Sequence, residues 1–360
     1  MFFRMSGVRH VDYVAATRMF PVPADRHALW ALFGFGLLAP YLLPSLYVNS
    51  TVQPWLLWTA TALGLNLVVG WAGQLHLGYG AVMAIGAYTA VHAARFGFPW
   101  IIALPLAGLA AALVGSCFAV AALRVKGLYL ALTTLAMQFV SDWCLAHSPT
   151  ITGGSHAALQ APPFALFGLQ ITSDAGRYYV ALAWCVLVTL FMLNMKRTGL
   201  GRALVAVREK DFAASILGVD SFRYKLVAFG VSAFIGGVSG ALLVATFFFL
   251  ATPEQFSVGV SIQVLAMVII GGLASIIGTY LGAALILLVP GLSNDLFAKA
   301  ASVLGVHLGN ETMAHIPNAA YGLLIVTFLL IEPLGLGKLY SNIRVYFLVW
   351  PFGQSRRSLQ

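Results

Sequence analysis

The sequence predicts an all-α integral membrane protein of about ten transmembrane helices, some broken or re-entrant, and three observations carry that prediction. Hydrophobic residues make up 60% of the 360 and charged residues 9%, with a mean hydropathy of +0.90, a composition that a single soluble core does not accommodate. Apolar runs near the length a helix needs to cross a bilayer, about 20 residues, recur along the chain between charges, Pro and Gly. One long polar segment, residues 196–225, stands between apolar spans and carries seven Lys or Arg against three acids.

Taken in order, residues 1–27 hold Arg4, Arg9, Arg18 and Arg26 interleaved with apolar side chains. They lack a compact apolar core with a small-residue cleavage site, so they read as a cytoplasmic tail or an interfacial basic helix instead of a signal peptide. The spans follow at 28–48, 53–71, 78–94, 98–122, 127–146, 178–195, 226–250, 258–276, 279–292 and 317–332. Residues 28–335 thus form a transmembrane domain, and 336–360 a second cytoplasmic tail. Alternating the spans from an inside N-terminus puts Arg124, Lys126, the 196–225 loop, Lys338, Arg344, Arg356 and Arg357 on the cytoplasmic side. The poorly basic loops 147–177 and 293–316 fall outside, as the positive-inside rule requires. The net charge of +9 is therefore read as topology and not as nucleic-acid binding. Cys117, Cys144 and Cys185 show no CxxC spacing and read as small buried hydrophobes.

Within the basic loop, Leu200, Ala203, Leu204 and Val207 recur at helical spacing, with Arg202, Arg208 and Lys210 on other faces. Asp211 is placed to cap a second short helix over 212–217 that presents Ala213 and Ala214 and stops at Gly218, a residue suited to the left-handed position after a helix. Such a pair of helices offers a soluble partner a small knob to dock on.

Two spans are irregular. In residues 64–88, Gly70, Gly73, Gly78 and Gly80 crowd around Gln74 and His76; in 267–285, Gly271 and Gly272 precede Gly278 and Gly282. Gly-interrupted spans in both halves of a membrane protein point to a translocation site, here with Gln74, His76, Gly78, Gly271, Gly272 and Gly278 along the path. Small residues four apart also serve close helix packing, and both uses apply to these segments.

No HExxH, GxSxG or intramembrane carboxylate pair is present, and residues 73–78, GQLHLG, lack the Lys and Ser or Thr that complete a phosphate loop. No catalytic residue, metal site or cofactor site is expected in this chain. His76 reads as a satisfied polar residue in preference to a proton relay.

Five blocks keep one order and spacing: GLNLVVGWAGQLHLGYGAVMAIGAY from Gly64, RVKGLYLALTTLAMQFV from Arg124, ITGGSHA from Ile151, TGLGRALVAVREKDFAASILGVDSFRYKLVAF from Thr198 and FSVGVSIQVLAMVIIGGLASIIGTYLGAALI from Phe256. Together they resemble the branched-chain amino-acid ABC importer permeases of the LivM type, over most of residues 55–335. The resemblance implies an ABC importer permease architecture, a sister permease completing a heterodimer, two ATP-binding cassette subunits that hold ATP and Mg, and a periplasmic substrate-binding protein. It also implies a bacterial inner-membrane location and a coupling role toward the ATPases for Arg208, Glu209, Asp211, Ala213, Ala214 and Gly218. The glutamate common just before the paired alanines is not in that place here, the nearest being Glu209. Loop residues 152–156 and 294–313 are the expected receptor contacts. The same architecture serves urea and short-chain amide importers, and a stand-alone channel or gradient-driven carrier is the reading from another class; both stay open at this point.

Overall fold

The computed structural model describes residues 36–125, 127–154, 158–166, 168–288 and 334–349, with a few isolated positions. The tail 1–27, the start of the span 28–48, the loop 293–316, most of the span 317–332 and the last residues of the chain lie outside the described residues.

The organising helix is α1, Ser45–Trp71, whose most apolar stretch is 89% buried inside the protein. It is apolar on every side, so it can be surrounded completely. Pro54 has no N–H to donate back along the helix, and just before it the helix widens into a π turn at Val48–Val52; a second π turn, Leu67–Trp71, ends it. After it come α2, Tyr79–Arg95, α3, Trp100–Ala122, α4, Leu128–His147, and α5, Asp174–Arg197, of which α5 packs directly on α1 while α2 and α3 pack on each other. After two short helices, α6 (Gly199–Glu209) and α7 (Asp211–Ile216), the chain enters α8, Ser221–Phe248, and then α9, Val258–Gly271, and α10, Ile276–Leu288. A last helix, α11, runs over Gly335–Val349.

Five of these helices are long and apolar enough to cross a membrane: those ending at Trp71, Ala122, Arg197, Phe248 and Gly271. The chain is accordingly a mainly helical, multi-pass membrane protein. α8, 78% buried over its apolar window, shares the centre with α1, whereas α3 at 28% and α5 at 39% form the periphery. On those outer helices Ile102, Leu109, Leu113, Leu187 and Leu190 are exposed, a face that lipid tails solvate as well as protein would. Inside, backbones approach closely: a side chain at Gly86 would strike the backbone of Gly237, and one at Gly240 the backbone of Met83. The small-residue stripes of α2 and α8 are therefore packing surfaces, where dispersion between backbones replaces a hydrophobic driving force that lipid does not supply.

α8 runs the height of the bundle and so defines its two ends. At one end lie α6, α7, Arg124, Lys196, Arg197, Lys210, Arg223 and Lys225. At the other, Phe249 turns into the left-handed region and Leu250–Ala251 (β4) pairs antiparallel with Leu159–Gln160 (β1), while Ala165–Leu166 (β2) and Leu169–Gln170 (β3) form a hairpin beside them. Arg95 donates to the Gln160 carbonyl at 3.2 Å and Trp100 to the Pro163 carbonyl at 3.0 Å, closing this cap over α2 and α3.

Several expectations change. Cys117 and Cys144 are exposed and only Cys185 is buried, because the first two face outward from peripheral helices. Thr152, expected to contact a receptor, is fully buried, its hydroxyl donating to the Leu145 carbonyl at 2.8 Å; residues 155–157 and 294–313 lie outside the described residues. The span at 258–276 stops at Gly271, and the next begins at Ile276.

Candidate functional site

Between α1 and α2 the chain is not helical over residues 72–78. It passes instead as an irregular run that delivers the start of α2 to side chains from two other helices. Leu77 N donates to Thr134 Oγ1 at 3.0 Å, Gly80 N to Ser261 Oγ at 2.7 Å and Ala81 N to Gln138 Oε1 at 2.7 Å. The last two are donors that a helix start leaves without partners of its own. Gln138, fully buried, completes the cluster: its Nε2 donates to the Phe256 carbonyl and to Asp142 Oδ1, both at 2.8 Å, and its Oε1 accepts from Ser261 Oγ at 2.9 Å. A helix N-terminus attracts anions, but here a solute carboxylate would have to displace Gln138 and Ser261 to reach it.

His76 is buried against the rings of Tyr79 and Phe229, at centroid distances of 5.7 and 5.2 Å, and its Nδ1 accepts from Gly78 N at 3.4 Å. A cavity of about 10 Å³ beside it, shared with Thr134 and Met137, has room for roughly one water. Gly78 is pressed to the Thr134 carbonyl, leaving no space for a side chain. Gln74, half-buried, donates to the Ala72 carbonyl at 2.9 Å. Of the first three path residues, then, His76 and Gly78 are packing positions, and Gln74 lies in the more open part of the segment.

The second interruption is the turn between α9 and α10. Gly272 has φ 107° and Ala274 φ 64°, the second a left-handed conformation that alanine adopts at a cost of about 1–2 kcal/mol. Asn66 of α1 holds it there: Asn66 Oδ1 accepts from Ala274 N at 2.9 Å and its Nδ2 donates to Thr279 Oγ1 at 2.8 Å. Trp71 Nε1 donates to the Ala274 carbonyl at 3.4 Å. Gly271 and Gly278 meet backbone to backbone across the turn, and Gly272 abuts the Leu334 carbonyl where α11 begins. Asn66→Leu keeps the shape and removes the bonds that Asn66 makes, leaving that of Trp71, so the variant is expected to lose about 2 kcal/mol of stability with a selective rise in proteolytic nicking near 272–275, which limited proteolysis in detergent would report.

The basic loop folds as predicted in outline and differs in detail. Gly201, Ala203, Leu204 and Val207 bury one face of α6. Asp211 is not the cap of α7 but its first residue, and its carboxylate pairs with Lys225 Nζ of α8 at 2.9 Å, so the nearby cation decides its orientation. Gly218, at φ 84°, ends the helix with Val219 N bonded to the Ala214 carbonyl and Gly218 N to the Ser215 carbonyl, the paired closure typical of a glycine-terminated helix. Ala213 is exposed, but Ala214 is 3% exposed and turned inward. The outward tip is instead Phe212, Ile216 and Leu217, at 79%, 70% and 83% exposure. Glu209 is exposed at the end of α6. Arg208, assigned with it to the ATPase side, is exposed overall, but its Nη1 donates to the Gly70 carbonyl at the end of α1.

Sequence reasoning missed Asn66, Thr134, Gln138 and Ser261, all 3% exposed or less. The signal for them was present: an isolated amide or hydroxyl within an apolar span needs a partner on another helix.

The family described as "Branched-chain amino acid transport system / permease component" matches residues 50–331, a range that contains both interruptions and the basic loop. The chain belongs to that family. The "High-affinity branched-chain amino acid transport system permease protein LivM" of Escherichia coli is 37% identical to this chain over 268 residues, 68% of this chain and 63% of its own. The protein of the same name in Salmonella typhimurium gives the same figures. A "Probable branched-chain amino acid transport permease protein LivM" of Methanocaldococcus jannaschii is 28% identical over 147 residues, 39% of this chain and 41% of its own. The chain thus spans 63% of the length of the first two relatives. No solved structure matches it significantly.

Proposed function

We propose that this chain is the membrane-spanning subunit of an ATP-driven importer that passes leucine, isoleucine or valine, delivered by a soluble periplasmic receptor, across a bacterial inner membrane. In this reading it pairs with a sister permease, and two cytoplasmic ATP-binding subunits hold ATP and Mg; both termini face the cytoplasm. The observation that carries the reading is the exposed apolar tip of α7. Phe212 and Ile216 stand on a short helix, and Leu217 just after its end, at the basic end of the bundle, beyond the apolar spans, where water and not lipid would meet them. Three large apolar side chains on one short helix and the residue that ends it, anchored from behind by Ala214 and the Asp211–Lys225 pair, are arranged to fill a groove in a soluble partner.

The mechanism follows from how the loop is joined to the bundle. Closure of the ATP-binding subunits moves α7; α6 and α8, continuous with it in sequence and in packing, carry the displacement to α1 and α2. The interruptions at 72–78 and 272–275 are the places where backbone can rearrange without breaking a helix, because side chains and not helical bonds hold them. The deep polar cluster of Gln138 and Ser261 offers a zwitterion replaceable hydrogen bonds, with high affinity left to the receptor. The relatives' names, which give branched-chain amino acid transport, support the substrate class.

Gentle affinity purification of the chain from its native membranes, with every co-purifying protein identified, tests this. Recovery of two P-loop ATPases and a second permease is the expected result. Recovery of the chain alone, in a detergent that preserves such assemblies, would overturn it. Uptake by the reconstituted assembly should be competed by excess leucine and not by urea.

A further inference from the structure

We infer that Arg208 is a positioning residue that latches the coupling loop to the interrupted end of α1, and through it to both interruptions, instead of contacting the ATPase. This rests on the coupling role proposed above for the loop. Arg208 Nη1 donates to the carbonyl of Gly70, 138 positions away in sequence. That carbonyl belongs to the π turn Leu67–Trp71, in the last stretch of α1 before the helix gives out. The aliphatic part of the same side chain covers Gly73, at φ 66°, so closely that a side chain there would collide with Arg208 Cγ. Arg208 therefore grips the chain on both sides of the point where the helix ends.

The same short stretch holds the second interruption. Gly70 packs on the backbone of Ala274, Asn66 bonds Ala274 N and Thr279 Oγ1, and Trp71 bonds the Ala274 carbonyl. One turn of α1 is thus fixed to the coupling helix by a charged donor and to the 272–275 turn by neutral hydrogen bonds. An arginine suits the first role, because its fixed charge and long reach make a hydrogen bond to a carbonyl stronger than a neutral one. Displacement of α6 cannot leave Gly70 in place without breaking that bond.

The test uses the complete assembly with its ATP-binding partners. Arg208→Ala should retain the ATPases through purification and keep hydrolysing ATP, while solute moved per ATP falls about tenfold, as expected for one charge-assisted hydrogen bond. Arg208→Lys, still able to reach a carbonyl, should recover part of the loss. Hydrogen exchange gives a second readout. The amides of Ala72 and Gln74, bonded to the Leu67 and Val68 carbonyls at 3.2 and 3.0 Å, should exchange about tenfold faster in Arg208→Ala. Loss of the ATPases from Arg208→Ala, unchanged transport per ATP, or unchanged exchange over 72–75 would each overturn the latch. Leu217→Asp, measured in parallel, separates the two ideas: if it keeps both ATPases and uptake, the coupling role of the loop has failed, and the exchange result alone decides whether Arg208 holds α1.

Discussion

Leu217→Asp is expected to reduce ATP-dependent uptake to background while the chain remains in the membrane at its usual level. Leu217 is 83% exposed, with Phe212 at 79% and Ile216 at 70% beside it, so the change removes no contact within the subunit and folding should be unaffected. Its effect falls on the partner. A carboxylate carried into a groove built for apolar side chains loses the buried area and adds an unpaired charge, a combination worth at least ~3 kcal/mol, or about a hundredfold in affinity. Ala213→Trp, on an exposed neighbour, should act in the same way by bulk. Ala214→Trp should behave differently: Ala214 is 3% exposed, so the ring has no room and the loop itself unfolds, giving a protease-sensitive subunit. Co-purification of the ATPases and uptake into vesicles, measured together, check all three. Normal uptake by Leu217→Asp would remove α7 from the coupling surface.

Gln138→Leu is expected to abolish transport by a different route. Gln138 serves Ala81 N, Ser261 Oγ, the Phe256 carbonyl and Asp142 within 2.9 Å, and a leucine of similar volume serves none of them. Each buried polar group left unsatisfied costs about 1–3 kcal/mol, so the melting temperature in detergent should fall by several degrees and the start of α2 should lose its fixed position. Gln138→Glu keeps the acceptor for Ala81 N and Ser261 but turns the donor toward Asp142 and the Phe256 carbonyl into a second acceptor. It should recover little, and less at higher pH, where two neighbouring carboxylates repel. Uptake by Gln138→Leu at the native rate would show that the cluster is dispensable for passage.

The positions of the described helices were legible because run length and apolarity are local properties: the stretches read at 53–71, 98–122 and 178–195 reappear in Ser45–Trp71, Trp100–Ala122 and Asp174–Arg197. The two interruptions were legible for the same reason, since glycines crowded in an apolar span weaken a helix wherever the span lies. Which side chains hold the interruptions was not. Asn66 and Ala274 are 208 positions apart, as Arg208 and Gly70 are 138, and no periodicity within one span reports on such a pairing. The direction of α7 was misjudged because Ala213 and Ala214 are equivalent in sequence, and only the body behind them makes one inward and the other outward.

The sequence by itself determined that the chain is a membrane protein with a basic loop between apolar spans and two glycine-broken segments, because composition and spacing set solvent preference and helix continuity without reference to neighbours. The tertiary structure decided what each polar residue in those segments does. In an apolar medium a lone amide, hydroxyl or guanidinium must find its partner on another element, so the roles of Gln138, Asn66 and Arg208 exist only once α4, α9, α1 and α6 have been brought together.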